Sequence, residues 1–360
     1  MKILELFGGI GACSKALDKL GINYEIADYV EIDKYAVKSF NAIHGTNFEP
    51  QDICQWDKDI EVDLIMHGSP CQDFSAAGKN MGGNEGSGTR SSLMFETLRI
   101  VEKLKPKYVI WENVKNVLSK THIHNFDAYL KQLETLGYSN CYQVLNAKDY
   151  GIPQNRERIF VVSIRNDIDN KEFSFPKPVK LQLTVQDLLE KVVDEKYYLS
   201  EAMKKYIMAN NEKWTGNNGK SLINKSIAST INTAEGQRRC DASNYIAPDI
   251  DKENIDLKSI VIYDDYNSRI RQDQNTIGTL TCNIGSLTPR NSYKLIECGQ
   301  ELKIRKLTPK ECWRLMGFED EDCDKAALVN SNTQLYKQAG NSICVSVIEA
   351  ILRELLGGNN

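Results

Sequence analysis

A chain of 360 residues, 41% hydrophobic and 26% charged, has the composition of a folded globular protein and the length for two domains, or for one large core carrying an inserted one. Its net charge of −4 leaves any nucleic-acid contact to local clusters of basic residues, and no apolar run approaches the roughly 20 residues of a bilayer span. The amino terminus is too short and too acidic for a signal peptide, and the ten cysteines are too scattered for a zinc-type cluster with the four histidines, so a cytoplasmic protein with reduced thiols and no metal is expected.

Lys2-Ile3-Leu4-Glu5-Leu6 reads as a short strand that runs into Phe7-Gly8-Gly9-Ile10-Gly11 and then into a helix, which Gly21 stops. A second strand over residues 24–30 ends at Glu31. An acid at that tip, about 20 positions after the turn, can accept hydrogen bonds from ribose hydroxyls, as in nucleotide-binding βαβ units. The dinucleotide fingerprint is incomplete, because its third glycine falls at Ser14. The unit argues only weakly for NAD and leaves other adenosine-containing cofactors open.

Residues 33–40 have helical spacing of their apolar side chains, and Asp52-Ile53 lies in a loop near a short third strand. Residues 62–67 read as a buried fourth strand, followed by Gly68-Ser69-Pro70-Cys71-Gln72 and a stretch holding Gly78, Gly82, Gly83, Gly86 and Gly88. A cysteine behind a proline that fixes the backbone, past the carboxyl end of such a strand, is presented rather than packed away. The glycine-rich stretch does not hold one conformation by itself. Residues 92–104 form an amphipathic helix, and a fifth strand over 108–111 closes on Glu112-Asn113-Val114. Cys71 and Glu112 therefore end neighbouring strands, which is what a nucleophile and its acid partner require. A helix over 125–136 leads to a terminal strand pair, 141–145 and 159–164, with Gln154-Asn155-Arg156-Glu157-Arg158 between them.

The pattern changes after residue 166. Pro176 and Pro178 mark a linker, 184–192 suggests a short helix, and the following region is polar with short strand-like runs such as 259–263. From 201 to 300 there are 13 Lys and Arg against 12 Asp and Glu, a balance of +1, so basic character is confined to clusters: Gln237-Arg238-Arg239, Ser268-Arg269-Ile270-Arg271 and Arg290-Asn291. These supply residue types that hold phosphates and read base edges. Near the end, Thr308 as cap, Pro309 at the first helical position and Gly317 at the stop define another helix. Gln338-Ala339-Gly340-Asn341-Ser342 then precedes a helix over 343–355, expected beside the first strand. The chain thus divides into a first domain, 1–175 with 304–360, and a second, 176–303.

Five ordered motifs, Phe7-Gly8-Gly9-Ile10-Gly11, Pro70-Cys71-Gln72, Glu112-Asn113-Val114, Gln154-x-Arg156-x-Arg158 and Gly340-Asn341-Ser342, make the chain resemble the cytosine-5 DNA methyltransferases of bacteria and phages. The resemblance covers nearly the whole chain outside about 166–303. It implies an α/β, Rossmann-like fold dependent on S-adenosylmethionine, with a mostly parallel sheet and a smaller irregular target-recognition domain. Cys71 would attack carbon 6 of a cytosine in a short specific sequence of double-stranded DNA, Glu112 would hydrogen-bond the 4-amino group and ring nitrogen 3, and Arg156 and Arg158 would hold the base and nearby phosphates. Phe7, Gly9, Gly11, Glu31, Asp52, Ile53, Leu93, Asn341 and Ser342 would surround the cofactor. Where many relatives carry an aromatic after the ribose acid, this chain has Ile32. The glycine-rich loop would close over DNA, with Gln72, Ser75, Lys79 and Arg90, while Gln154, Arg238, Arg239, Arg269, Arg271 and Thr279 would add further DNA contacts. A monomer serving a restriction-modification or phage protection system is expected, with any partner endonuclease acting separately. The alternatives are an RNA cytosine-5 methyltransferase, a non-catalytic DNA-binding relative and an NAD-dependent oxidoreductase. The first lacks the Cys-Phe-Thr tripeptide and smaller recognition region of transfer-RNA enzymes, the second would have lost Cys71 or Glu112, and the third gives no role to Pro70-Cys71-Gln72.

Overall fold

Short apolar strands alternating with amphipathic helices dictate a sheet covered by helices. The computed structural model describes residues 1–70, 90–168, 173–198 and 303–357, with the short strands at 243–245, 261–264, 268–271, 277–278 and 293–297; residues 90–92, these strands and 303–306 are described by backbone alone. The elements are β1 (Lys2–Leu6), α1 (Ala12–Leu20), β2 (Glu25–Val30), α2 (Lys34–His44), β3 (Leu64–His67), a 3-10 turn (Arg90–Phe95), α3 (Glu96–Leu104), β4 (Tyr108–Val114), α4 (Ile123–Thr135), β5 (Tyr138–Asn146), β6 (Gln154–Asn155) and β7 (Glu157–Arg165). Six strands form one sheet in the order β2-β1-β3-β4-β7-β5. β2, β1, β3 and β4 are parallel, and β7 runs against both its neighbours. The expected α/β fold with a mostly parallel sheet is what the chain forms. Because both faces of the inner strands are covered, β3 reads as an unbroken buried run, Leu-Ile-Met-His.

From β1 the chain steps outward to β2 and then back past β1 to β3. Strand order reverses at β1, and ligands of open α/β sheets bind beyond the carboxyl ends at that point. One face of the sheet packs Ile65, Trp111, Phe126, Tyr129 and Leu133 together. The other joins both ends of the chain in one core: Ile3, Leu17 and Met66 pack with Trp313, Ile348 and Ile351.

A second sheet, five-stranded and mostly antiparallel, contains β8 (Ser243–Tyr245), β9 (Val261–Asp264), β10 (Ser268–Arg271), β12 (Tyr293–Glu297) and β13 (Lys303–Lys306), in the order β10-β8-β9-β12-β13. The described strands of this part thus pair in a regular ladder. Between its strands, β11 (Ile277–Gly278) pairs in parallel with β6, which ties the second region to the Gln154-x-Arg156 segment. The chain closes with α5 (Pro309–Arg314), α6 (Asp320–Ala327), α7 (Asn332–Asn341) and α8 (Val345–Leu356). The expected cap of α5 is a full capping box, with Thr308 and Glu311 each accepting from the other's backbone N–H.

Three expectations need correction. No strand forms near Asp52-Ile53; this loop is held by side chains instead, with Trp56 Nε1 donating to Asp28 Oδ2 (2.7 Å) and Gln51 Nε2 donating to Asp28 Oδ1 and the Tyr29 carbonyl. The helix expected over 184–192 is only a 3-10 turn, Gln186–Leu188. Nor does the first domain end at 175: Val185 and Leu189 are buried in the first core, and Arg314 Nη1 donates to the Leu188 carbonyl.

Candidate active site

At the end of β1 the backbone leaves the right-handed regions three times within five residues, at Phe7 (φ 52°), Gly9 (φ 55°) and Gly11 (φ 81°). Glycine adopts that conformation freely, whereas Phe7 is a strained exception of the sort concentrated at functional sites. The surroundings hold it there. The Gly8 N–H donates to the Val30 carbonyl, Tyr29 Oη donates to the Gly9 carbonyl (2.6 Å), and the Gly9 N–H donates to Glu31 Oε2 (3.2 Å). Glu31 Oε1 accepts from the Asp33 N–H (2.8 Å), so the ribose acid expected at the second strand tip is already braced by two backbone donors. Burial pushes its carboxyl up while these N–H groups pull it down, and the net shift is upward.

A narrow cleft opens beside this turn. It is lined by residues 5–9 together with Ala12, Cys13, His67, Gly68, Glu112 and, from the other end of the chain, Asn341, Ser342 and Ile343. The structure thus brings Phe7, Gly9, Asn341 and Ser342, four of the residues expected around the cofactor, to the same cleft as Glu112. Gly11 sits at the start of α1, where a Cβ would lie 2.3 Å from His44 Nε2. Asp52 is occupied in a turn, its Oδ1 accepting from the Cys54 N–H (3.0 Å). Ile53 is buried in the core, and half-buried Leu93 packs against the same cluster. Ile32 is 69% exposed beside Glu31.

On the other side of the cleft, β4 delivers Glu112, buried at the carboxyl edge of the sheet. Arg158 on β7 lies across from Val114, two residues along on the same face, and its Nε is 3.1 Å from Glu112 Oε1. Burial pushes the Glu112 carboxyl up, against the pull of the Arg158 and Arg156 guanidinium groups. A carboxyl so placed is suited to carry a proton and give it away.

The rest of the arginine motif lies elsewhere. Arg156 is buried, and its Nη2 donates to the carbonyls of Ser342 (2.8 Å) and Gly340 (3.4 Å), so it ties the Gly340-Asn341-Ser342 segment to β6 and β7. Gln154, expected at DNA, is fully buried and donates through Nε2 to the Leu315 carbonyl (2.7 Å). Both side chains are used to hold the two ends of the chain together. Cys71, Gln72, Ser75, Lys79, Arg238, Arg239 and Thr279 lie outside the described residues. Arg90 opens the 3-10 turn, and Arg269 and Arg271 stand on β10, with no side-chain position described.

The structure adds residues that the motifs did not single out. Glu5 lies within β1, 2% exposed, and its Oε1 accepts from both the backbone N–H and the hydroxyl of Ser14. His67, at the end of β3, is fully buried, with Nε2 2.8 Å from Tyr129 Oη, and burial lowers its pKa to about 3. The visible signal for both is a titratable residue inside an otherwise apolar strand. Arg99 donates to the carbonyls of Ile53 and Trp56 (2.8 Å each) and so anchors the Asp52-Ile53 loop to α3. Among the described residues, no group of three or more His, Cys, Asp or Glu is placed to hold a metal, and no helix is long and apolar enough to cross a membrane.

A six-stranded, mostly parallel sheet with a glycine turn at its switch point and an acid after the second strand is the fold of S-adenosylmethionine-type methyltransferases. Solved structures with the same fold include Dnmt2 of S. pombe (TM-score 0.66, 19% identity, covering 99% of this chain and 98% of that one) and a putative DNA modification methyltransferase from an E. coli prophage (TM-score 0.59, 20% identity, 99% of each). Residues 1–357 match the family of C-5 cytosine-specific DNA methylases, and the chain belongs to that family. It is similar to the type II methyltransferase M2.ScrFI of Lactococcus lactis subsp. cremoris, at 33% identity over 99% of both chains. The orphan methyltransferase M.SPRI of Bacillus phage SPR is 31% identical over 99% of this chain and 97% of its own. The type II methyltransferase M.SsoII of Shigella sonnei is 32% identical over 99% and 80% respectively. The protein is a DNA cytosine-5 methyltransferase.

Proposed function

We propose that the chain methylates a cytosine flipped out of double-stranded DNA within a short specific sequence, using Cys71 as covalent nucleophile and Glu112 as proton donor. The observation that carries this reading is the Glu112–Arg158 pair: a buried carboxyl pushed toward its neutral form, at the carboxyl end of the strand beside the one that leads to Pro70. Addition of the Cys71 thiolate to carbon 6 forms a sulfur–carbon bond and drives the ring electrons toward nitrogen 3. Glu112 gives that nitrogen its proton, and Arg158 steadies the carboxylate left behind. Carbon 5 becomes electron-rich. Once carbon 5 has taken up a methyl, its proton passes to water, the Cys71 sulfur departs with its electron pair, and the nitrogen 3 proton returns to the Glu112 carboxylate, which restores the neutral ring. Such chemistry on a base requires that it leave the helix stack.

The residues present fit S-adenosylmethionine. A Cβ at Gly9 would meet nothing within 4 Å, so a ligand can lie against bare backbone between Phe7 and Gly11, with Glu31 braced for ribose hydroxyls and the exposed Ile32 beside it. Gly9, Glu31, Asn341 and Ser342 would hold it, with Phe7 and Leu93 as apolar walls. Bound there, it supplies the electrophilic methyl that carbon 5 takes up. The second sheet, β8 to β10 with β12 and β13, is assigned to target recognition. The type II and phage relatives support a role in restriction-modification or phage protection, with the protein acting as a cytoplasmic monomer.

Incubation of unmethylated genomic DNA with labelled S-adenosylmethionine, followed by sequencing that resolves 5-methylcytosine, tests this reading. Methylation confined to one short motif is the expected result. Incorporation into RNA and not DNA would overturn it. Cys71→Ser should bind the cofactor and transfer no methyl; normal turnover by that variant would sink the covalent mechanism.

A further inference from the structure

Alternation along β4 sends Glu112 to one face of the sheet and its neighbours Trp111 and Asn113 to the other. Those two neighbours converge on one group. Trp111 Nε1 donates to Ser69 Oγ (3.0 Å), and Asn113 Nδ2 reaches both Ser69 Oγ and the Ser69 carbonyl (3.3 Å each). All three side chains are buried, at 4% exposure or less. Ser69 lies past the end of β3, where Trp111 stands opposite His67 in the parallel pairing, so these bonds extend the register of the two strands beyond their last ladder hydrogen bond. On the other face, a Cβ on Gly68 would lie 3.7 Å from Glu112 Oε2. The segment entering Pro70 thus passes close to the acid on one face while its side-chain hydrogen bonds are made on the other.

Resting on the mechanism above, we propose that Ser69, Trp111 and Asn113 form a positioning clamp that sets where the chain leaves Ser69 and Pro70, toward Cys71, relative to Glu112. A hydroxyl is suited to this place because one oxygen accepts two hydrogen bonds at once. The indole is suited because it carries a single donor on a large rigid body. That body is held in turn by His67, stacked at 6.0 Å, and by Phe126 and Tyr129 at 5.9 and 4.7 Å. The clamp contributes no atom to the reaction. Its effect is on alignment, and a displacement of about 1 Å between reacting groups can cost roughly 100-fold in rate.

The test uses the full-length enzyme and three variants, Ser69→Ala, Trp111→Phe and the pair together, with exchange of the target cytosine's C5 hydrogen as a readout of adduct formation alongside methyl transfer. Trp111→Phe keeps an aromatic ring in the stack and removes the donor together with the volume of the second ring. Ser69→Ala should lower both C5 exchange and saturated methyl transfer by roughly 10- to 100-fold, with dissociation constants for S-adenosylmethionine and DNA within about twofold of the parent. Trp111→Phe should lower them less, and the double variant should be no slower than Ser69→Ala. Unchanged exchange in Ser69→Ala, a loss that appears in cofactor or DNA affinity and not in rate, or additive losses in the double variant would each overturn the clamp. Cys71→Ser in the same assay separates the two ideas: if it retains exchange, the covalent mechanism fails, and if it loses exchange while Ser69→Ala does not, only the clamp fails.

Discussion

The two walls of the cleft are built by different means. The cofactor wall, Phe7 to Gly11 with Glu31, is made of backbone: left-handed turns and N–H and carbonyl groups tied to β2 and to the acid after it. The proposed base wall is made of side chains: buried Glu112 pairs with half-buried Arg158 across strand tips, and Trp111 and Asn113 bond Ser69 on the opposite face of the sheet. Main-chain geometry can cradle a flexible adenosyl ligand with little dependence on side-chain identity. Proton donation needs a particular group in a particular dielectric, and only side-chain burial supplies that. Damage to one wall should therefore leave the other standing.

Glu112→Gln attacks the base wall with the largest expected effect. The amide keeps the shape and a hydrogen-bond donor but has no proton to give, and it removes the partner of Arg158. Methyl transfer at saturation should fall by about 10²- to 10⁴-fold, while cofactor affinity measured by calorimetry stays within about twofold. A parallel loss of cofactor affinity would show that the two walls are not separable.

Gly11→Ala attacks the cofactor wall. A Cβ there must find room 2.3 Å from His44 Nε2 and 2.8 Å from the Phe40 ring while the backbone keeps a φ of 81°. The strain should cost about 2–4 kcal/mol of stability, read as a lower thermal midpoint, together with weakened cofactor binding. Gly9→Ala is the control, since it has the left-handed strain but meets no neighbour, and it should lose less stability than Gly11→Ala.

The same contrast decides what could be read from the sequence. The sheet was legible because buried parallel strands are continuous apolar runs, and the cofactor wall because left-handed turns demand glycine in series. Glu112 was legible as an acid ending a strand next to the one behind Pro70. The role of Arg156 and Gln154 was not, because their partners, the carbonyls of Gly340, Ser342 and Leu315, lie more than 150 residues away along the chain and have no side-chain signature. The loop at Asp52-Ile53 is where the sequence places it, but the short strand expected near it does not form, because side chains of Asp28, Gln51 and Trp56 hold this segment in place of ladder hydrogen bonds. Of the second sheet, the run 259–263 was legible and overlaps β9, while the other strands are short and mostly polar, a weak periodic signal.

Glu5 lies under the seam between the walls and offers the subtlest test. Burial raises its carboxyl to about 7, although the Ser14 hydroxyl and backbone N–H pull the other way. In the unfolded chain the same group titrates near its ordinary value of 4.5. Between those two values the folded protein holds a proton that the unfolded chain has released. This group's contribution therefore makes stability fall as pH rises from about 4.5 to 7 and leaves it level above. Gln cannot titrate, so Glu5→Gln should remove that slope. Its thermal midpoint should gain on the parent's between pH 5 and pH 8 by an amount equivalent to about 2–3 kcal/mol, because any cost of the amide beside Ser14 is the same at both pH values and cancels in the difference. If the difference between variant and parent is flat across that range, Glu5 is ionised in the folded state, and the seam holds a charge. If the difference grows as expected and methyl transfer is unchanged, the acid serves only to cap α1 through Ser14. A shift of the pH–rate profile in the variant would instead tie this buried proton to the chemistry of the cleft it lines.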